Sequence, residues 1–187
     1  NIVKSDQFME LNELPSNIVF VGGGYISFEF AHVAARAGAN VTILHRGIRP
    51  LNNFDPYLVD MLVQRTRELG IDVHLQTKVE RIESSKANSN HNDRFIVHYS
   101  DTANGNKYKI KANMVVHGAG RVPEIDDLDL ETGVVERENK KGIRVNEYLQ
   151  SVSNPAVYAA GDAAASGGLP LTPVAVYEGE IAAANLL

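Results

Sequence analysis

Three consecutive glycines, Gly22, Gly23 and Gly24, interrupt the chain directly after the apolar run NIVFV at 17–21. That run does not alternate, which suits a strand covered on both faces inside a parallel sheet. The glycines are followed by YISFEFAHVAARAG. Ile26, Phe30, Val33 and Ala37 recur at helical spacing and predict the core stripe of a helix that Gly38 closes. NVTILH at 40–45 is rich in β-branched residues and predicts a second buried strand. Strand, glycine turn, helix and strand within about 30 residues make a βαβ unit.

The alternation continues. Asp55 is placed to cap a helix with Pro56 at its first position. Met61, Leu62, Arg65 and Leu69 follow, Gly70 ends the helix, and IDVHL at 71–75 predicts a third strand. A doubly wound parallel sheet is the expectation. The middle differs. KVERIES, RFIVHYS and KYKIKA show partial period-two alternation, in Val79/Arg81, Phe95/Val97 and Tyr108/Ile110. They predict an antiparallel three-stranded meander, with a polar loop at 84–93 and a turn at 101–106. NMVVHGAG at 113–120 returns to a buried strand ending in glycine. The fold class is therefore α/β: a Rossmann-like parallel sheet with an added meander.

Composition removes other classes. The 187 residues hold 44% hydrophobic and 22% charged side chains, as a globular domain does. A net charge of −5 argues against a nucleic-acid or anionic-membrane binder. No run approaches the roughly 20 apolar residues of a membrane span, and the polar start NIVKSDQFMELNELP is no signal peptide, so a cytoplasmic protein is expected. No cysteine is present, so this chain carries no disulfide or thiol chemistry. The histidines, at 32, 45, 74, 91, 98 and 117, stand in no short metal-ligand spacing, and no metal is expected. The chain ends within an apolar helical pattern without a cap, which suggests a piece of a longer polypeptide.

The glycine spacing is Gly22-x-Gly24-x-x-Ser27. In a dinucleotide-binding turn the first glycine permits the turn and the second lets backbone approach a pyrophosphate. The third position packs helix on strand, where serine is small enough. N–H groups and the helix dipole then hold the anion, with Gly23, Tyr25 and Ile26 beside it. The plainer reading is a tight turn in an α/β core. After the second strand, where an acid would bind a ribose 2′-hydroxyl, stand His45 and Arg46, with Arg49 nearby. Arginine suits a 2′-phosphate, so NADP is favoured over NAD. Alternatively, Arg46 and Arg49 are solvated loop charges. Tyr25 and Glu29 lie one turn apart, opposite the expected core stripe; on residues alone they are a surface pair.

GRVPE at 120–124, VYAAGDAAASG at 157–167 and LTPVAVYEG at 171–179 follow in that order. Together with VGGGYIS, they make the chain, from about Leu14 on, resemble the central portion of an FAD-dependent pyridine nucleotide–disulfide oxidoreductase, the glutathione reductase, dihydrolipoamide dehydrogenase and mercuric reductase group. The resemblance implies an NAD(P)-binding domain at 1–118 and, at 119–187, the C-terminal half of a split FAD-binding domain. It implies that Tyr25 covers the nicotinamide pocket, that Glu29 lies beside the nicotinamide, and that Arg46 meets the 2′-phosphate. It puts Gly118, Gly120, Arg121 and Gly161 at the cofactors. Asp162 is then the ligand of the flavin's ribityl chain and Thr172 the start of a helix aimed at its ring. Asn52 stands where many NADPH-using members have a second arginine, a place Arg49 would fill. The redox cysteine pair and the acid/base histidine of the family would lie outside this chain, in the rest of a homodimeric flavoprotein, so the chain alone is expected to be inactive.

Two other readings remain. One is a flavoprotein without the disulfide, such as an NADH oxidase or ferredoxin reductase. The other is a non-catalytic nucleotide-binding domain. The substrate is not legible.

Overall fold

The computed structural model describes residues 2–84 and 94–187. It divides into two compact units, Asn1–Gly120 and Arg121–Leu187. In chain order the first unit holds β1 (Ile2–Val3), α1 (Ser5–Met9), β2 (Asn17–Val21), α2 (Tyr25–Arg36), β3 (Asn40–Leu44) and α3 (Pro56–Glu68). Then come β4 (Asp72–His74), β5 (Thr77–Ser84), β6 (Phe95–Asp101), β7 (Lys107–Ala112) and β8 (Met114–His117). The main sheet runs β1-β8-β2-β3-β4 with every pairing parallel. The other three strands form the expected antiparallel meander, β5-β6-β7. The polar stretch 84–93 lies, apart from Ser84, outside the described residues.

The unbroken apolar runs have their reason in two separate cores. Ile18, Phe20, Ile43 and Val116 pack with Phe8, Phe28, Ala31, Ala34, Val59 and Val63 of the three helices. Val19, Leu44 and Val115, which point the other way, pack with Phe95, Val97 and Ala112 of the meander. Successive side chains of a strand point to opposite faces, so both sets are covered. The three helices thus share one core on one face of the sheet, and the meander supplies the other.

Two details of the sequence reading are corrected. The buried face of α2 is Ser27, Phe28, Ala31 and Ala34, while Val33 is 62% exposed. Three small residues and Phe28 face the core, and of the expected Ile26–Phe30–Val33 stripe Phe30 packs, partly buried, against the same core. In α3 the buried residues are Val59, Val63 and Thr66, and Met61 is exposed. The partial alternation of β5 has a geometric cause. A register shift between Val79 and Arg81 inserts one residue, so Val79 and Ile82, three apart, both pack against the meander's core.

The polar N-terminal stretch is part of the fold. β1 pairs with β8, and α1 delivers Phe8 to the core. Its ring stacks on Phe30 at 4.8 Å and meets Phe20 edge-on at 5.7 Å. Asp55 caps α3 as expected, accepting from the N–H groups of Tyr57 and Leu58.

The second unit has little regular structure. It contains β9 (Arg137–Glu138), β10 (Gly142–Ile143), a single 3-10 turn at Gly161–Ala163 and α4 (Thr172–Leu186). Ile125, Ile143, Ala159 and Ala164 form its small core. Among the described residues of the chain, no helix is long and apolar enough to cross a membrane.

Phe8→Ala is expected to cost about 3–4 kcal/mol, the usual toll of emptying a buried aromatic site. Urea unfolding measures it; a loss under 1 kcal/mol would show that the N-terminal elements are not anchored to the core.

Candidate functional site at the carboxyl edge of the sheet

β2, β3 and β8 end level: Val21 is opposite both Leu44 and His117. Ladder hydrogen bonds continue beyond the strands. The Gly22 N–H donates to the Leu44 carbonyl at 2.9 Å, and the Gly118 N–H donates to that of Val21 at 2.8 Å. Gly22 has φ +110°, and a Cβ there would lie 2.2 Å from the Gly118 oxygen. Both the conformation and the space require glycine.

Gly23 is required for a different reason. A Cβ on it would lie 2.7 Å from His45 Nδ1 and 2.9 Å from Pro50 Cβ. Gly24 takes the N-cap position of α2, and no side chain caps that helix. First-turn N–H groups have no acceptor within a helix, so the positive end of the α2 dipole opens at the sheet's carboxyl edge. Ser27 is fully buried, and its Oγ finds no hydrogen-bond partner among the described residues. The hydroxyl occupies space left by Gly118, where a Cβ would come within 2.0 Å of it.

The residues after β3 are brought together unequally. His45 turns inward. Its Nδ1 accepts from the Gly23 N–H at 3.1 Å, and its Nε2 bonds the Arg49 carbonyl at 2.9 Å. Burial holds its pKa below the usual 6.5; the charge of Arg46 adds to this and the bond to Arg49 opposes it. Arg46 is exposed, and no ion pair or hydrogen bond engages its guanidinium among the described residues. Arg49 is held by Asp60 of α3, Nε to Oδ1 at 3.1 Å and Nη2 to Oδ2 at 3.4 Å. Tyr25, half-buried, is the first residue of α2, with Ile26 after it; Glu29, one turn on, is exposed on the same face as Val33.

In the second unit Arg121 and Asp162 meet at 2.7 Å. Gly161 and Asp162 open the 3-10 turn, and Thr172 opens α4 after an uncapped Leu171. The sequence reading missed Glu178. It is buried, accepting from the Gly161 N–H at 2.7 Å and the Ser166 hydroxyl at 2.5 Å. A glutamate flanked by Tyr177 and Gly179 on a helix gives no local sign of such a task. Several histidines have protein partners: His32 bonds Thr66, His74 bonds Asp72 and His98 bonds Glu83. His91 lies outside the described residues. Among the described residues no three His, Asp or Glu side chains gather as a metal ion would require.

Residues 1–179 match the model of a family described as pyridine nucleotide-disulphide oxidoreductase. The chain belongs to that family. It is 33% identical over 184 residues to a dihydrolipoyl dehydrogenase of Bacillus subtilis (strain 168), covering 98% of this chain and 37% of that protein. It is 33% identical over 178 residues to a glutathione reductase of Burkholderia cepacia, covering 95% and 36%. The HOCl-induced flavoprotein disulfide reductase RclA of Escherichia coli superposes with a TM-score of 0.81 at 27% identity, covering all of this chain and 39% of that one. The chain thus spans less than two fifths of these oxidoreductases. The match begins at residue 1, so the likeness is wider than the sequence stretch from Leu14.

Two substitutions probe this edge. Ser27→Ala removes a buried hydroxyl without a partner and is expected to stabilise by about 1 kcal/mol in urea unfolding. Glu178→Ala strands the Gly161 N–H and is expected to cost about 1–3 kcal/mol. Opposite signs would show that the hydroxyl is satisfied and the carboxylate dispensable.

Proposed function

We propose that the first unit docks NADPH and that the second contributes to a flavin site, within a flavin-dependent disulfide reductase. The observation that carries the nucleotide reading is Arg46. It stands two residues beyond β3, exposed and unpaired among the described residues. The next acid in sequence, Asp55, is engaged as the α3 cap. A guanidinium can grip a phosphate with two charge-assisted hydrogen bonds, whereas a carboxylate there would repel it.

The residues fit a dinucleotide. Glycine at 22 lets the turn press against the Gly118 carbonyl, the space beside Gly24 holds nothing nearer than 3.7 Å, and the uncapped α2 dipole suits a pyrophosphate. Arg49 would add a second grip by leaving Asp60, an exposed pair worth about 1 kcal/mol or less. Tyr25 would cover the nicotinamide pocket and Glu29 would lie beside it. In the second unit, Asp162 would receive the ribityl hydroxyls once released from Arg121. The uncapped start of α4 at Thr172 would stabilise negative charge on a nearby ring. Bound flavin supplies the acceptor of a nicotinamide hydride and passes electrons toward a disulfide. The same reading takes the whole protein to be a cytoplasmic homodimer, on family membership alone.

Calorimetric titration with NADPH and NADH at two salt concentrations tests the reading. NADPH is expected to bind at least tenfold tighter, since one charge-assisted hydrogen bond contributes about 1.5–3 kcal/mol. The preference should shrink with salt and vanish in Arg46→Glu. Equal affinities, or tighter NADH, would overturn it.

A further inference from the structure

The loop 46–51 that carries Arg46 is tied to the glycine turn by three contacts. The Gly23 N–H donates to His45 Nδ1, the Leu51 N–H donates to the Gly23 carbonyl at 3.1 Å, and His45 Nε2 bonds the Arg49 carbonyl. Two of the three pass through one imidazole. Packing closes around that ring: a Cβ on Gly23 would lie 2.7 Å from Nδ1, and a Cβ on Gly47 would lie 2.8 Å from Nε2.

The geometry fixes the proton. Nδ1 faces an N–H and must be the bare acceptor; Nε2 faces a carbonyl and must carry the hydrogen. With both ring nitrogens taken, His45 has none left for a ribose. We propose that His45 is a positioning residue: as the neutral Nε2–H tautomer it locks the Arg46 loop onto the glycine turn, and its protonation releases that loop and with it the grip on a 2′-phosphate. The inference rests on the NADPH reading above. It replaces the expectation that His45 contacts the cofactor.

An imidazolium would set a second N–H against that of Gly23, donor against donor. Among the described residues no acid offsets this. The glycine turn contributes no titratable group, and the ring's own loop contributes Arg46 and Arg49, both cationic. Asp60 on α3 is held by Arg49. β4 offers the His74 carbonyl, which accepts from the His45 N–H, while the His74 ring bonds Asp72. Burial and Arg46 favour the neutral ring, in keeping with this arrangement. The folded pKa lies below the unfolded 6.5, so the clasp is whole above pH 6.5 and loosens as pH falls below it.

The test compares the full chain with His45→Asn and His45→Ala. Asparagine places Oδ1 where Nδ1 was, so it can accept from Gly23 without titrating; alanine loses both bonds. A phosphate monoester itself titrates near pH 6, so the readout is the difference between variants. Between pH 8 and 5.5 the NADPH/NADH affinity ratio of the native chain is expected to fall at least fivefold more than that of His45→Asn. At pH 8, His45→Ala should lose about tenfold in that ratio. The Gly23 amide resonance, followed by NMR without nucleotide, should titrate in the native chain below pH 6.5 and stay still in His45→Asn. Parallel pH profiles, or a Gly23 amide that ignores pH, overturn the role of His45. A titrating Gly23 amide with no NADPH preference at pH 8 overturns the NADPH reading instead, and with it any link from the clasp to a phosphate.

Discussion

Backbone meets backbone where β2 and β8 leave the sheet, and the rest of the site depends on that approach. The Gly22 Cα faces the Gly118 carbonyl with no room for a side-chain atom between them. Because of this the chain turns out of β2 within three residues and starts α2 at the sheet edge instead of beyond it. The hydrogen bonds of Gly22 and Gly118 then bind three strand ends into one rim. A rim of this stiffness can hold a helix start and a loop in fixed relation, as any recognition of a charged ligand requires.

The fold was largely legible because its signals are local. NIVFV and NVTILH predict β2 and β3, Asp55-Pro56 predicts the start of α3, and the three meander segments predict β5 to β7. What escaped depended on distance. Nothing in NIVKSDQFMELNELP announces that Ile2 and Val3 pair with a strand over a hundred residues later, or that Phe8 stacks on Phe30. The buried face of α2 could not be read from spacing, since Ser27, Ala31 and Ala34 recur at the same helical interval as Ile26, Phe30 and Val33. At the site, sequence located the right segments and could not orient them: His45 and Arg46 are neighbours, yet one ring is half-buried against the turn and the other group reaches solvent.

The second unit relies on a different economy. Its apolar core is small, and polar atoms carry part of the organisation. Glu178 is buried on α4 while Val176 and Tyr177 of the same helix are more than half exposed. A carboxylate that receives one backbone and one hydroxyl hydrogen can sit inside, because each donor would otherwise be short of a partner. It fixes the 3-10 turn on which Asp162 stands. Family membership gives these residues a setting, in proteins more than twice the length of this chain.

Ser27 and Gly118 share one slot between α2 and the end of β8, large enough for a single heavy atom. Whichever of the two carries that atom denies it to the other. The two positions, ninety-one apart in the chain, are therefore not free to drift separately. A relative with glycine at the helix position has room for alanine at the strand position, and one with serine there does not. Substitutions at this point should travel as a pair, so that the record of one residue's history can be read in the other.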